Sequence, residues 1–307
     1  MLGWRELRME EQVYAPRRKD FVDAWLHFTS TTFHNASSGS PYLPLPPNAT
    51  IGFSGSIDAV IRQPSSTPRE VVLEQLHTAF PSACDYILEW HRTVRRELAS
   101  LLPGYNTDDD DEIIHARLKL ATSVFHCTAG RCRGRGRTLA YPEILSHPCF
   151  SAVMPGKGPP PNNPRGIAKQ KACRTMGTSP WNCSGRIQVH PRQCVVKDIL
   201  LCCGKDPRST TAAELDRQNP KLICLECATN HGVFTMMSWH SAVSFFFMKT
   251  SETFAYHFSR FNTRLHLTLR TPSSTHGFWL LLLLNGRASQ GPETCNRFQV
   301  FGMESVV

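Results

Sequence analysis

The sequence predicts an α-rich α+β fold, in which a helical pair precedes two small irregular lobes nucleated by Cys/His clusters, with a poorly structured C-terminal tail. Three observations lead to this prediction: apolar residues recur every three or four positions over 67–102, the 307-residue chain contains twelve cysteines, and no capped periodic segment follows residue 243. A hydrophobic content of 41% with 19% charged residues excludes wholesale disorder and allows a sizeable core.

Residues 1–66 show little periodicity, and we predict a weakly structured N-terminal segment there. One short helix is expected over 20–28 and one short strand over 57–61. Prolines and small polar residues interrupt the stretch between them. We therefore expect most of 29–66 to be loop.

The helical pair is predicted over 67–102. Thr67-Pro68-Arg69-Glu70 has the form of a capping box with proline at the first helical position. Pro81-Ser82 separates the first helix from the second, which Pro103-Gly104 stops. A strand over 118–125 is then expected to lead into the first cysteine pair.

Composition divides the remainder of the chain. A linker is predicted over 154–180, because its first half is rich in glycine and proline. The helical pair and the first Cys/His lobe then occupy 67–153, and a second Cys-rich lobe occupies 181–243. Short helices are expected in the second lobe over 195–201 and 210–217.

Two features predict an intracellular protein of the cytoplasm or nucleus without a membrane segment. The N-terminus has no apolar secretory core, and the longest uninterrupted apolar run, Phe278–Leu284, is too short to cross a bilayer. Structural disulfides are rare in that environment, so clustered cysteines indicate metal binding or redox chemistry.

The first cluster combines a C-x4-C pair, Cys127 and Cys132, with an H-x-C pair, His147 and Cys149. Two short pairs separated by a loop supply the four tetrahedral ligands that structural zinc prefers. The H-x-C spacing is unusual for zinc, so buried thiols beside an ordinary histidine remain an alternative interpretation.

The second cluster is built on the C-x2-C pair Cys224 and Cys227, which is a common half of a zinc site. Cys203 is the third candidate ligand and His240 the fourth, with His231 as a substitute. A thioredoxin-like redox role would need a strand-to-helix context, and the residues after Cys227 indicate a turn instead.

A basic loop lies inside the first cluster. Arg131, Arg133, Arg135 and Arg137 alternate mainly with glycine, and the chain as a whole has a formal net charge of +9. Flexible cationic segments bind nucleic-acid phosphates, so nucleic-acid binding through 131–137 is an alternative function. No aromatic residue interrupts the loop to stack bases, and the pattern favours a solvated loop over nucleic-acid binding.

Catalytic patterns are not found in the sequence. It contains no phosphate-binding loop, no G-x-S-x-G elbow and no H-E-x-x-H motif. We therefore expect a non-enzymatic protein-interaction module with structural zinc. A catalytic zinc site remains open as a further alternative, because the fourth ligand of the second cluster is undefined.

Five sequence segments between 85 and 243 resemble the cysteine-rich region of F-box-type proteins from mushroom-forming fungi (basidiomycetes). They are Leu120–Cys127, Tyr141–Cys149, Cys203–Pro207 with Thr211–Asp216, Cys224–Cys227, and Trp239 with Ala242 and Val243. The resemblance implies a substrate-recruiting adaptor of a ubiquitin ligase, whose protein partner would be bound by this region. The Leu-Pro-x-Glu-type opening of an F-box does not occur in this chain.

The tail, 244–307, departs from the pattern of that family, which continues after Val243 into a histidine. Here Ser244 and three phenylalanines follow, and the tail holds nine of the seventeen phenylalanines. Codons for Val-Ser can match a splice donor, so we hypothesise that 244–307 is translated intron or shifted frame.

Sequencing of transcripts across the codons for Val243 and Ser244 tests this hypothesis. We expect the dominant transcript to be spliced at this junction and to encode a different continuation. Continuous read coverage from Val243 into the phenylalanine codons would show instead that the tail is genuine.

Overall fold

The computed structural model describes residues 2–34, 43–130, 132, 138–153, 163–224, 236–249 and 298–301. Helices dominate these residues, and the strands form one two-stranded and one three-stranded antiparallel sheet, which confirms the predicted α-rich α+β class. The chain divides into two compact units, residues 1–190 with 211–213 and residues 191–210 with 214–307. None of the helices in the described ranges has the length and apolar character that a membrane crossing requires.

A continuous helical rod forms the start of the chain, where the sequence predicts weak structure. Helix α1 (Leu2–Met9) passes through a π-helical turn (Glu10–Tyr14) into α2 (Ala15–His34). Pro16 has no amide hydrogen and its ring crowds the preceding turn, and the wider π-helical turn just before it accommodates both effects. The helix predicted over 20–28 is therefore the middle of a longer helix.

Two short helices follow, α3 (Asn48–Gly52) and α4 (Gly55–Ile61), where loop and strand are predicted. Ile57 and Ile61 are fully buried and lie one helical turn apart, so both face the core. The predicted strand over 57–61 is wrong, because a short apolar run fits a buried helix as well as a buried strand.

A single helix, α5 (Arg69–Ala99), replaces the predicted helical pair. Pro81 lies inside it at an exposed position, where the carbonyl that loses its N–H partner can bond to water. Phe80 and Ile87, on either side of this proline, are buried, and the packing of this common face keeps the helix continuous. The predicted capping box is absent, because Pro68 occupies the N-cap position and no side chain caps the helix.

Helix α6 (Asp111–Lys119) packs against α5. Asp110 caps it by accepting a 2.8 Å hydrogen bond from the amide of Ile113. Asp111, in the first turn, forms an ion pair with Arg96 of α5 at 2.8 Å. Acidic residues are favourable at this end of a helix, so the acidic run supports the start of α6.

Two short strands follow α6. Strand β1 (Phe125–Cys127) pairs antiparallel with β2 (Ile187–Val189), and an isolated bridge joins Phe125 to Leu139. The strand predicted over 118–125 is wrong for its first part, because residues up to Lys119 belong to α6.

Helix α7 (Pro164–Thr175) occupies much of the predicted linker. Asn163 caps it by accepting a 2.7 Å hydrogen bond from the amide of Gly166, and a proline fills the first helical position. Cys173 is buried in the same core as α2 and α5. The linker prediction is therefore wrong for α7, whereas 154–162 lie outside the described residues.

The first unit contains two hydrophobic cores, and α5 contributes to both. The first core forms around aromatic rings of α2 and α5, with the centroids of Trp25 and Phe80 5.4 Å apart in an edge-to-face contact. The second core contains Trp90 and Leu98 of α5 together with Phe125 of β1. The second core also surrounds the first cysteine cluster.

Two adjacent arginines of α2 are buried beneath α4. Arg17 donates hydrogen bonds of 2.7 to 3.2 Å to the carbonyls of Ile61, Gln63, Pro64 and Thr67. Arg18 is fully buried, with Nε 2.9 Å from Oε1 of buried Glu10 and Nη2 3.2 Å from Oδ1 of Asp58. These charges are tolerated in the interior because each has a paired or hydrogen-bonded partner.

Both short helices predicted for the second lobe are confirmed. Helix α8 (Gln193–Cys202) is followed by Gly204 at a φ of 67°, a left-handed conformation that glycine adopts without a steric penalty. Helix α9 (Ala212–Gln218) follows. Asp216 of α9 accepts a 2.7 Å hydrogen bond from the indole nitrogen of buried Trp239.

The sheet of the second unit has the strand order β4-β3-β5, formed by β3 (Lys221–Cys224), β4 (Met236–Met237) and β5 (Phe298–Phe301). Helix α10 (Trp239–Lys249) packs against β3 and α8. Ser244 lies within this helix. Residues 250–297 and 302–307 of the predicted tail lie outside the described residues, and the intron hypothesis stays a prediction.

The buried ion pair of Arg18 leads to a stability prediction. Arg18→Ala leaves the buried Glu10 carboxylate without its cation, and we expect the free energy of unfolding to fall by about 3–5 kcal/mol. The exposed Arg92→Ala, which breaks surface ion pairs, should cost about 1 kcal/mol or less. Urea unfolding monitored by circular dichroism measures the free energy of unfolding of both variants. An equal decrease in Arg18→Ala and Arg92→Ala would contradict the prediction.

Candidate metal centre

The first two ligands of the cluster are positioned by β1 and the turn that follows it. Cys127 is the last residue of β1 and lies opposite Ile187 of β2 in the antiparallel register. The chain then turns, with the amide of Cys132 donating a 2.9 Å hydrogen bond to the carbonyl of Ala129. Pairing to β2 fixes the strand, so the turn brings the second thiol back toward the first.

The other two ligands lie on consecutive 3-10 turns, Glu143–Ser146 and Pro148–Phe150. His147 separates the turns in an extended conformation with a φ of −67° and a ψ of 122°. Its amide donates to the carbonyl of Ile144 at 3.1 Å, and its own carbonyl accepts from the amide of Phe150 at 3.0 Å. This change of direction allows an H-x-C pair to place both ligands at one point.

The ligand atoms of Cys127, Cys132, His147 and Cys149 all lie within 4.8 Å of one another, which is close enough to hold a metal ion. Sγ of Cys132 is 3.4 Å from Nε2 of His147. Zinc bonds of about 2.3 Å to sulfur and 2.0 Å to nitrogen place two tetrahedral ligands about 3.5 Å apart. The observed distance fits that geometry.

Burial controls the chemistry of the cluster. Burial raises the pKa of the Cys127 thiol, and the neighbouring Cys132 adds to the effect. Burial, with contacts from Cys132 and Cys127, raises the pKa of Cys149 to about 12. Both thiols are therefore protonated at neutral pH when no cation is bound, and a cation would stabilise the thiolates that bind it.

Residues outside the ligand set hold the cluster in place. His147 meets the ring of Phe150 edge-to-face with centroids 4.9 Å apart, and Phe150 meets Trp181 at 5.9 Å. Arg186 donates a 2.9 Å hydrogen bond to the carbonyl of Cys149. Trp181 and Arg186 lie 31 or more positions after Phe150, and no local pattern in the sequence reveals them.

A cavity of about 420 Å³ adjoins the cluster on the side of Phe150. Phe150 and Trp181 form part of its apolar wall, and Lys169 and Arg186 supply two positive charges. Cys173 also lines it. Among the described residues, the lining contains no acidic side chain, so the cavity favours a ligand with apolar and negatively charged groups.

The second predicted cluster stays a prediction. Cys203 is half-buried just after α8, but the side chain of Cys224 and all of Cys227 and His231 lie outside the described residues. Nε2 of His240 is 3.1 Å from Oδ1 of Asp216 and its ring stacks on Trp239.

Cys183 is buried in the second core but is not one of the four ligands of the first cluster. It donates to Oε1 of Glu97 at 3.0 Å, and burial together with Glu97 raises its pKa to about 12. The nucleic-acid-binding candidates, Arg131, Arg133, Arg135 and Arg137, lie outside the described residues. Leu139, which follows this segment in the sequence, forms a bridge to Phe125 of β1.

Comparison of the chain with protein-family models, with curated proteins and with solved structures finds no match. The fold and the site together therefore define the class of protein. It is an α-rich α+β protein with a Cys3His cluster that can hold a metal ion.

Metal content tests the cluster. We expect the full chain to lose about one zinc ion per molecule on Cys132→Ser, because three ligands bind a structural zinc ion far less tightly than four. Cys183→Ser is the matched control, since this buried cysteine hydrogen-bonds Glu97 outside the cluster. Elemental analysis of both purified variants gives the result, and unchanged zinc in Cys132→Ser would exclude the site.

Proposed function

We propose that this chain is a non-enzymatic protein-interaction module whose first unit is stabilised by structural zinc at Cys127, Cys132, His147 and Cys149. The observation that carries the proposal is the complete set of four converging ligand atoms. Structural zinc sites are closed by four protein ligands, whereas catalytic sites keep one position for water or substrate. Three thiolates and one imidazole favour zinc over the hard cations, which prefer oxygen ligands.

The cavity beside the cluster supplies the interaction surface of this proposal. Its aromatic wall suits an apolar side chain, and Lys169 and Arg186 suit an acidic neighbour of that side chain. Arg186 is also bonded to the carbonyl of Cys149, so the ion would hold one wall of the cavity in position. We propose as occupant an acidic, aromatic-containing peptide segment of a partner protein.

This proposal agrees with the resemblance to F-box-type proteins. An adaptor of a ubiquitin ligase recruits substrates by binding a short segment of them, and the cavity would serve that purpose. The Zn-stabilised unit would then be the substrate-recruiting part of the adaptor.

Selection from a random peptide display library on the zinc-loaded full chain tests the proposal. We expect enriched peptides to combine an aromatic residue with flanking Asp or Glu. Lys169→Glu should weaken their binding about tenfold or more, because it reverses the charge at the cavity. Arg174→Glu is the matched control, since this exposed arginine on the same helix does not line the cavity.

Chelation of zinc should abolish peptide binding by the parent chain, because it removes the support of Arg186. Enrichment of basic peptides, or equal peptide binding by the Lys169→Glu and Arg174→Glu variants, would contradict the proposal. Steeply salt-dependent binding of single-stranded RNA that is lost on Ala substitution of Arg133, Arg135 and Arg137 would favour the alternative function, nucleic-acid binding.

A further inference from the structure

Four buried polar atoms converge at the junction of α5, α6 and the segment before the 3-10 turns. They are Nδ1 of His91, Nε of Arg95, Nε2 of His115 and Oη of Tyr141, and none of them makes a hydrogen bond of standard geometry within the part of the chain that the structure describes. Burial raises the pKa of Tyr141, and the guanidinium of Arg95 is nevertheless close enough to the phenol to oppose this larger effect. His91 is 3% exposed and Tyr141 2% exposed, so water at the surface does not satisfy them. Unpaired polar atoms are uncommon in protein interiors, and a group of four calls for a bound partner.

The backbone places these side chains against one another. His91 and Arg95 lie one turn apart on the same face of α5. His115 projects from α6, and its ring meets that of Tyr141 edge-to-face with centroids 5.6 Å apart. Three separate segments therefore contribute to one polar cluster at the edge of the second hydrophobic core.

The cluster has positive electrostatic character. Burial lowers the pKa of His91 to about 4, and the charges of Arg95 and His115 add to this effect. Burial also lowers the pKa of His115, as do Lys119 and Arg95, against a smaller opposite effect of Glu112. A cation would be repelled by the guanidinium of Arg95, whereas an anion would be attracted to it.

We infer that His91, Arg95, His115 and Tyr141 form a binding site for a small tetrahedral oxyanion, represented by inorganic phosphate. Guanidinium, imidazole and phenol groups can all donate hydrogen bonds, and an oxyanion offers an acceptor on each of its oxygens. Arginine is well suited to such ligands because its planar fork matches two oxygens of the anion.

Burial limits the size of the ligand and defines its route. The four polar atoms are closed even to water in this conformation, so an anion reaches them only when the neighbouring side chains move aside, and a small anion needs the least movement. The side chains of Arg95 and His115 are half-buried, and exposed Lys119 lies one turn beyond His115 on α6. An anion would therefore enter between α5 and α6, attracted by Lys119 and then by Arg95.

Isothermal titration of the full chain with sodium phosphate tests the inference, with sodium chloride at matched ionic strength as the reference salt. We expect saturable phosphate binding that chloride does not reproduce. Arg95→Gln should weaken it about tenfold or more, because a charge-assisted hydrogen bond is lost. Tyr141→Phe, which removes only the buried hydroxyl, should weaken it about threefold to tenfold.

Arg92→Gln provides the matched control, because Arg92 lies on α5 beside the cluster but is exposed and paired with Glu89 and Asp111. Its phosphate affinity should stay within about twofold of the parent. Circular dichroism of each variant verifies the fold, and Tyr141→Phe keeps the test decisive if Arg95→Gln does not fold. No saturable binding in the parent, or equal affinity in Tyr141→Phe and the parent, would mean that the cluster holds water only. The zinc and peptide experiments do not depend on this result.

Discussion

The burial of one face of α5 joins the two hydrophobic cores of the first unit. Phe80 and the residues before it pack against α2, α4 and α7, whereas Trp90 and Leu98 pack against the strands and turns that carry the cysteine cluster. The helix passes from one core to the other without a break, although Pro81 lies inside it. Burial of apolar surface on this scale outweighs the loss of one backbone hydrogen bond, and it fixes where the ligand-bearing turns can lie.

The ligand-bearing segments have little regular structure of their own. Two three-residue strands and two 3-10 turns surround the cluster, and each supplies few backbone hydrogen bonds. Their positions depend on Phe125, Phe150 and Trp181, which anchor them to the second core. A cation at the cluster would add cross-links between segments that are distant in sequence, and the buried thiols at Cys127 and Cys149 would gain a partner for their charged form.

The sequence contains the ligand types of the site but little of its surroundings. Four sulfur and imidazole groups within 127–149 could be recognised from their spacing, and α8 and α9 from their periodicity. The N-terminal helices could not be recognised from the sequence. Arginines normally lie on the solvent face of a helix, whereas Arg17 and Arg18 are buried, and their partners lie up to 50 positions away. Helix α7 and the continuity of α5 were also not predicted, because prolines and polar residues indicate loops and breaks. Tertiary packing overrides such local signals.

Because α5 is long enough to contribute to both hydrophobic cores, the stability of one core depends on the other. Its 31 residues span about 46 Å, and the apolar face of its last third packs against α6 and against the segments around the cluster. If the segments around the cluster detach, Trp90, Val94 and Leu98 lose the part of their cover that these segments provide. Quality-control chaperones and proteases bind exposed apolar surface, so a metal ion that holds the segments in place would prolong the cellular lifetime of the chain.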